Sequence, residues 1–128
     1  MIVYLAAPWV HREDARSIRD LFEQIPGIRV CARWLDVDEK QTTFTQEAQN
    51  DIVDIDAVDV LVVLNLSKSE GKAFEQGYAY RRGIPIVVVG PLGEPCKNVF
   101  QHLPSMIVLP DVEAACDWLA DNFTRSVA

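Results

Sequence analysis

The chain has little positive charge, and this limits the classes of partner that it can bind. Lys and Arg number 12 against 19 Asp and Glu, so the 128-residue chain has a net charge of −7. A protein that binds nucleic-acid polymers needs a basic face for the phosphates, and this balance argues against that class. A nucleotide-sized ligand is still compatible, because a helix N-terminus and one or two cations can hold a phosphate.

Cysteine and histidine are also scarce and show none of the spacings that bind metals. Cys31, Cys96 and Cys116 are widely separated and form no C-x-x-C pair. We expect three free thiols in a reducing compartment, with neither a disulfide framework nor a zinc site. The two histidines, His11 and His102, are far apart. The sequence therefore predicts no metal site.

Long apolar runs and targeting signals are missing as well. No stretch approaches the ~20 apolar residues that a membrane span requires. The N-terminus passes directly from Met1 into a strand-like segment at residues 2–7. We therefore expect a cytoplasmic protein without a signal peptide and without membrane contact. With 49% hydrophobic and 24% charged residues, a single domain over residues 1–128 is expected.

The common phosphate-binding and hydrolase motifs do not occur. No G-x-G-x-x-G follows the first strand and no Walker P-loop is present, which argues against the dinucleotide-binding and P-loop classes. Around Ser69 only half of a G-x-S-x-G elbow exists, because Ser67 occupies the position of the first glycine. A receiver-like signalling domain is disfavoured too, because the first strand lacks the acidic pair that would hold Mg²⁺.

What the sequence does contain is a regular alternation of apolar strands and amphipathic helices, which predicts an α/β fold. Strands are predicted at residues 2–7, 28–34, 58–66, 84–89 and 106–109, and helices at 11–25, 42–56, 71–83, 97–103 and from 110 onward. Inward-facing stripes are predicted for the second helix at Phe44, Ala48, Ile52 and Ile55, and for the last at Val112, Ala115, Trp118, Leu119 and Phe123. The economical arrangement is a flavodoxin-like, doubly wound parallel sheet of order 2-1-3-4-5 in a three-layer sandwich.

Residues 69–85 lie between two predicted strands and carry the leading candidate residue, Glu75. Ligands of such sheets bind beyond the carboxyl ends of the strands, where the next helix begins. In the first turns of a helix, the dipole and the free backbone N–H groups favour an ionised carboxylate. An ionised, fixed glutamate can act as nucleophile or base. Stabilisation of the helix is the alternative role for Glu75.

Three further side chains are candidates for the same edge. Asp51 flanks the apolar stripe of the second helix, where a carboxylate is costly unless it is paired or used. Beside Glu75 it would suit general acid catalysis; a solvated helix face is the alternative. Tyr4 could hydrogen-bond a carboxylate, and Trp9 could stack on a flat ring. A half-buried strand residue and a hydrophobic lid are the alternatives for these two.

Three motifs resemble the nucleoside 2-deoxyribosyltransferases. Residues 3–8 (VYLAAP) are similar to the Tyr-Leu-Ala-Gly-Pro opening of that family. Asp51, eight residues before Asp59, stands where the family keeps its catalytic aspartate. The pattern G-x-x-x-E-x-G-x-A-x-x-x-G-x-P at residues 71–85 resembles its nucleophile helix. The resemblance covers residues 2–100 and extends to the related 2-deoxynucleoside 5-phosphate N-hydrolases.

This resemblance implies cleavage of the N-glycosidic bond of a 2-deoxyribonucleoside or its 5-monophosphate, without a metal or other cofactor. Glu75 would attack the anomeric carbon and form a deoxyribosyl ester, which passes to a second base or to water. Asp51 would protonate or orient the leaving base, and Tyr4 would hold Glu75 in line. A non-catalytic nucleotide-sensing module on the same fold is the competing hypothesis.

The resemblance also suggests substrate-binding residues. The transferases carry an acidic residue six positions before the nucleophile, whereas this chain has Ser69, as the phosphate hydrolases do for the 5-phosphate. Lys72 and Arg12 could add charge for a phosphate, and Trp9 and Gly71 complete the predicted substrate-binding set. Asn98 is similar to a residue that a neighbouring subunit donates, which implies a homo-oligomer with a shared active site. A helix cap is the alternative for Asn98.

Overall fold

A computed structural model of the protein describes residues 1–92 and 98–127, with side chains as far as residue 122. One parallel sheet has the strand order β2-β1-β3-β4-β5, which confirms the predicted topology. Its strands are β1 (Ile2–Ala6), β2 (Arg29–Val30), β3 (Val60–Leu64), β4 (Ile86–Val89) and β5 (Ile107–Leu109). The α-helices of the described residues are α1 (Arg12–Glu23), α2 (Phe44–Asp56), α3 (Glu70–Arg81) and α4 (Val112–Val127).

Helices cover the sheet, and the central strands form the core. Helix α1 packs beside α4, and α2 packs beside α3, as right-handed crossovers in a doubly wound sheet require. All residues of β3 and β4 are buried, which explains their uninterrupted runs of valine, leucine and isoleucine. No helix in residues 1–92 and 98–127 is long and apolar enough to cross a bilayer.

The second strand is much shorter than the predicted segment 28–34. After β2 the chain turns into a 3-10 helix at Arg33–Asp36. The indole Nε1 of Trp34 donates to the Leu5 carbonyl oxygen at 2.8 Å. The guanidinium of Arg33 pairs with Asp54 of α2, with 2.9 Å between Nη2 and Oδ1. These contacts hold residues 33 and 34 beside β1 and α2, so the edge strand ends early.

The predicted inward stripe of α2 is wrong at most of its positions. Ile55 is fully buried, but Phe44 is 88% exposed, Ala48 is exposed and Ile52 is half-buried. The helix instead buries the Asp54 side chain, whose charge is neutralised by its guanidinium partner. A paired carboxylate thus takes an inward position that hydrophobic periodicity assigns to apolar residues.

The remaining predictions differ from the structure mainly at their boundaries. In α4 Ala115 and Leu119 are buried, Val112 and Trp118 are half-buried, and the Phe123 side chain lies outside the described residues. The helix predicted at 97–103 is a 3-10 helix at Val99–His102. Residue 97, the first residue of the prediction, lies outside the described residues. Cys31 and Cys116 are free thiols. Cys96 falls in the same undescribed segment.

Candidate active site

The centre of the candidate site is a hydrogen bond between β1 and α3. Tyr4 is the fully buried middle residue of β1, and its hydroxyl donates to Oε2 of Glu75. Helix α3 packs on β1, β3 and β4, so the glutamate faces the strand that precedes the first loop. The two residues are 71 positions apart in the sequence. The structure thus brings together the predicted nucleophile and the tyrosine predicted to hold it.

The expectation that the helix terminus keeps Glu75 ionised is wrong for the protein without substrate. Burial raises the pKa of Glu75 to about 8, and the nearby charge of Asp51 adds to the rise, whereas the Tyr4 hydrogen bond opposes it. Glu75 is the sixth residue of α3, one turn beyond Glu70, which lies in the first turn. The dipole acts mainly within that first turn, so desolvation decides the protonation of Glu75.

Asp51 lies on α2 as the second carboxyl group of the site. Burial raises the pKa of Asp51 to about 6, and the charges of Asp54 and Glu47 raise it further, against a hydrogen bond with Tyr4 that lowers it. Between these two pKa values the predominant form has its proton on Glu75 and its charge on Asp51. The form with ionised Glu75 and protonated Asp51, which pairs a nucleophile with an acid, is a constant minor fraction over this range.

Tyr4 links these two groups as a neutral phenol. Its pKa is raised, first by burial and then by the charges of Glu75 and Asp51. A phenol in this state keeps its proton at neutral pH and can donate it to a carboxylate. The tyrosine therefore orients Glu75 without competing with it as an anion.

The residues that support Asp51 could not be assigned from the sequence. Asp54, one turn further along α2, accepts hydrogen bonds from the backbone N–H of Arg33 and from its guanidinium Nε, both at 2.9 Å. Arg33 neutralises most of the charge of Asp54. Three acidic residues can therefore lie close together on α2, namely Glu47, Asp51 and Asp54. The only hint in the sequence is the presence of acidic residues near a helix C-terminus, where the dipole disfavours them unless a cation compensates.

Trp9, in the segment after β1, lies beside Arg12, the first residue of α1. The guanidinium carbon of Arg12 is 4.6 Å from the centre of the Trp9 ring, a cation–π contact. The Trp9 ring is tilted by 44° to that of Trp34, with 6.2 Å between the centroids. Trp34 is itself fixed to β1 through its indole N–H. The sequence predicted Trp9 and Arg12 as binding residues but missed Trp34 as their support.

Ser69 and Gly71 begin the helix that carries Glu75. Ser69 is the N-cap of α3, and its Oγ accepts a hydrogen bond from the backbone N–H of Lys72 at 3.2 Å. The helix therefore begins at Glu70 and not at the predicted Gly71. As an acceptor, the Ser69 hydroxyl keeps its hydrogen for another partner. The Lys72 ammonium is buried and donates to Oδ1 of Asn65 and the Ser67 carbonyl oxygen, not to the segment that contains Trp9 and Arg12.

Asn98 caps the 3-10 helix that follows β4. Its side chain accepts a hydrogen bond from the backbone N–H of Phe100 at 3.0 Å, which matches the cap alternative within one chain. The Asn98 side chain is half-buried, and Val99 and Phe100 beside it are exposed. The described contacts of Asn98 are local, so they do not join it to the Tyr4–Glu75 pair of its own chain.

A family of known proteins matches nearly the whole chain. The sequence model of the family described as nucleoside 2-deoxyribosyltransferase matches residues 3–123. No curated protein sequence matches the chain significantly.

Solved structures show the same fold at low sequence identity. The CMP N-glycosidase BcmB of Clostridium botulinum is 21% identical with a TM-score of 0.63, covering 96% of this chain and 99% of its own. A conserved protein of Enterococcus faecalis V583 is 18% identical with a TM-score of 0.70, at 91% and 95% coverage. The 2-deoxyribosyltransferase of Bacillus psychrosaccharolyticus is 21% identical with a TM-score of 0.65, at 90% coverage of both chains. With its family match spanning nearly the whole sequence, the chain belongs to the nucleoside 2-deoxyribosyltransferase family.

Proposed function

We propose that the protein cleaves the N-glycosidic bond of 2-deoxyribonucleosides or their 5-monophosphates through a covalent deoxyribosyl ester of Glu75. The observation that supports this proposal best is the Tyr4–Glu75 hydrogen bond with Asp51 beside it. Family membership supports the reaction class. Glu75 presents a carboxyl oxygen, Tyr4 fixes it, and Asp51 has a pKa suited to proton transfer near neutral pH.

In the first half-reaction an ionised Oε of Glu75 bonds to C1 of the sugar as the bond from C1 to the base nitrogen breaks. The electron pair of that bond leaves with the base, and the Asp51 carboxyl proton neutralises the departing nitrogen. Tyr4 keeps its proton and its hydrogen bond to Glu75, which limits rotation of the carboxyl group. A substrate without a 2-hydroxyl group reaches the oxocarbenium-like transition state more easily.

In the second half-reaction a water molecule or a second base attacks C1 from the side that the first base has left. Asp51, now a carboxylate, takes the proton of the attacking group, and Glu75 departs as a carboxylate. Two displacements at C1 restore the original configuration. Whether hydrolysis or transfer dominates depends on which acceptor occupies the base position beside Asp51.

The 5-position of the substrate is assigned to the N-terminus of α3. The hydroxyl hydrogen of Ser69 and the first backbone N–H groups of the helix suit an anionic oxygen. Arg12 supplies a cation at the start of α1, beside Trp9. We therefore propose a 5-monophosphate as the preferred substrate. We also place the reaction in cytoplasmic nucleotide salvage, which localisation of a tagged full-length chain in living cells would test.

The proposed reaction is tested by measuring free base. The protein is incubated with deoxycytidine, deoxyadenosine, dCMP and dAMP, each with and without a second base, and with CMP as the ribonucleotide counterpart of dCMP. We expect base release from the deoxy substrates, faster from the monophosphates, and slower release from CMP. Absence of release from all of these substrates would favour a nucleotide-sensing module without catalysis.

Exchange of Ser69 for aspartate is expected to reverse the preference for the 5-position. Aspartate can still cap α3, but its charge repels a phosphate, so the ratio of kcat/KM for dCMP over deoxycytidine should fall about 100-fold. The matched control is Ser69→Asn, which also caps the helix but adds no charge and should change this ratio less than tenfold. An unchanged ratio in Ser69→Asp would show that the phosphate does not bind at this position.

We further propose that the protein is a homo-oligomer in which a neighbouring subunit completes the active site. Apolar side chains are exposed on the helices that carry the two carboxyl groups, at Phe44 and Val53 of α2 and Phe74 of α3. Val53 lines a surface cavity of about 560 Å³ together with other residues of α2. Exposed apolar patches of this kind suit subunit contacts. Asn98 is the residue that we expect the neighbour to donate.

A mixture of two inactive variants tests the shared site. Glu75→Ala lacks the nucleophile and Asn98→Ala lacks the donated side chain, so a mixed oligomer contains one site with both residues. When the two are co-expressed, about a quarter of wild-type activity is expected for random dimers. Each variant alone serves as the control. Activity no higher than the average of the two separate variants would show that Asn98 does not act across subunits.

A further inference from the structure

Beside the candidate site lies a buried group of polar side chains to which the proposed reaction assigns no role. Asn65 follows β3, Lys72 and Gln76 lie on α3, and Gln101 lies on the 3-10 helix at Val99–His102. Each of these four residues is only 3–7% exposed. We refer to Asn65, Lys72, Gln76 and Gln101 as the polar cluster.

The hydrogen bonds within the polar cluster are mutually dependent. Oδ1 of Asn65 accepts from the Lys72 ammonium and from Nε2 of Gln101, both at 3.1 Å. Nδ2 of Asn65 donates back to Oε1 of Gln101 at 2.7 Å, and Nε2 of Gln101 also donates to Oε1 of Gln76 at 3.0 Å. One amide oxygen thus joins three segments of the chain. Loss of a single member removes one or more of these buried hydrogen bonds from the members that remain.

Main-chain contacts connect the polar cluster to the loops at the carboxyl edge of the sheet. The Lys72 ammonium donates to the Ser67 carbonyl oxygen at 2.8 Å, two residues before the N-cap of α3. The backbone of Asn65 receives the Leu92 N–H at 3.0 Å and donates to the Val89 carbonyl oxygen at 2.9 Å. The loops that follow β3 and β4 are therefore both tied to the same asparagine.

Helix α3 depends on this cluster because its inner face is mostly polar. The buried residues of α3 are Lys72, Gln76 and Ala79, so two of its three buried side chains are hydrogen-bonding groups. Apolar packing tolerates small shifts, whereas hydrogen bonds are directional. Glu75 lies between Lys72 and Gln76 in the sequence. The direction of its carboxyl group therefore depends on how this part of α3 is positioned on the sheet.

We propose that the polar cluster positions Glu75 for attack on the sugar, with Lys72 as its central positioning residue. This inference rests on the proposed function. Tyr4 fixes the carboxyl group from the side of β1, and Lys72 fixes the helix from the side of β3. A misplacement of the nucleophile by about 1 Å can cost about 100-fold in rate. Loss of the hydrogen bonds that position α3 should therefore affect the chemical step more than substrate binding.

The test is a comparison of Lys72→Met with the matched control Arg81→Met, an exposed cation in the last turn of the same helix. Met keeps the length of the lysine side chain but removes its donors. For dCMP we expect kcat of Lys72→Met to fall about 30-fold with KM within about threefold of wild type. Arg81→Met should retain both constants. The rates are referred to folded protein, measured by near-ultraviolet circular dichroism.

A second variant keeps the inference testable if Lys72→Met does not fold. Gln101→Met acts from outside α3 and should lower kcat about tenfold, again with little change in KM. In a folded double variant the two losses should be less than additive, because both act through Oδ1 of Asn65. A purely structural role would lower the melting temperature and leave kcat per folded molecule unchanged, which would overturn the inference.

The outcome is distinguishable from failure of the proposed function. If wild type releases base and Glu75→Ala does not, the function stands, and normal kcat in Lys72→Met and Gln101→Met refutes the positioning role alone. If wild type releases no base from any deoxy substrate, the proposed function is wrong and the positioning role is refuted with it.

Discussion

Replacement of Glu75 by alanine is expected to lower base release by about 10⁴-fold or more, as loss of a covalent nucleophile does in other enzymes. The physical reason is that Glu75 is the carboxyl group that we assign to the face of C1 opposite the base, where the Tyr4 hydroxyl holds it. Without the ester, water must displace the base directly while Asp51 acts as the acid, so Asp51 is not available to activate that water. The measurement is the initial rate of base release from dCMP and deoxycytidine.

Two controls separate nucleophilic catalysis from a structural effect. Glu70→Ala removes an exposed carboxylate from the first turn of the same helix and should leave the rate within about threefold. Glu75→Gln keeps an oxygen that can accept from Tyr4 but cannot form the ester at a useful rate, so it should be as inactive as Glu75→Ala. Activity of Glu75→Gln near the wild-type level would show that the glutamate only supports the structure.

The second large effect is expected from Asp51, and it appears in the pH dependence. Attack requires ionised Glu75, whose pKa is about 8, and protonation of the base requires neutral Asp51, whose pKa is about 6. Below about pH 6 the ionised fraction of Glu75 falls tenfold per pH unit while Asp51 is already protonated. Above about pH 8 the protonated fraction of Asp51 falls in the same way.

Between these limits the product of the two fractions is constant, because each tenfold gain in ionised Glu75 is matched by a tenfold loss of protonated Asp51. We therefore expect a plateau in kcat/KM between about pH 6 and pH 8, with a falling limb on each side. Both limits belong to the pair of groups, since the charge of Asp51 raises the pKa of Glu75.

Asp51→Asn should lower kcat about 100-fold or more through loss of the acid, and it should also remove the alkaline limb. The acid limb remains, and its upper limit moves from about pH 6 to higher pH, up to the pKa of Glu75, because the rate then depends only on ionised Glu75. Loss of the Asp51 charge keeps this pKa somewhat below about 8. A substrate with a better leaving base should lose less activity. Asp117→Asn, an exposed site on α4, is the control. A persistent alkaline limb in Asp51→Asn would exclude Asp51 as the acid.

Local patterns in the sequence predicted most of the fold, because strands buried on both faces and amphipathic helices have clear apolar periods. The uninterrupted run of β3 identified the centre of the sheet. The prediction was wrong where long-range polar contacts decide the structure. Trp34 and Arg33 end the edge strand through partners on β1 and α2. Phe44 is 88% exposed, and Asp54 is buried beside Ile55 on the inner face of the same helix through its pairing with Arg33.

Glu75, Asp51, Tyr4 and Trp9 were proposed from their places in the predicted elements, and the family resemblance then supplied catalytic roles for the first three and the further candidates Ser69 and Asn98. Position in a helix indicated that Glu75 could be functional, but it gave the wrong protonation state, because burial cannot be read from the local sequence. Lys72 was interpreted as a charge for phosphate, since lysine is seldom buried. Its partners Asn65 and Gln101 lie in separate segments, so only the folded chain places this ammonium inside the polar cluster.

The central claim is that an oxygen of Glu75 bonds to C1 of the sugar, and the most direct test is to trap this ester. A 2-fluoro-2-deoxy substrate with a good leaving base destabilises the oxocarbenium-like transition states, so the ester should form and break down slowly. After acid quenching, mass spectrometry of the whole protein and of its peptides should show one added fluorodeoxyribosyl group, located on Glu75. Attachment at another residue, or release of the base with no adduct on the protein, would contradict the proposed mechanism.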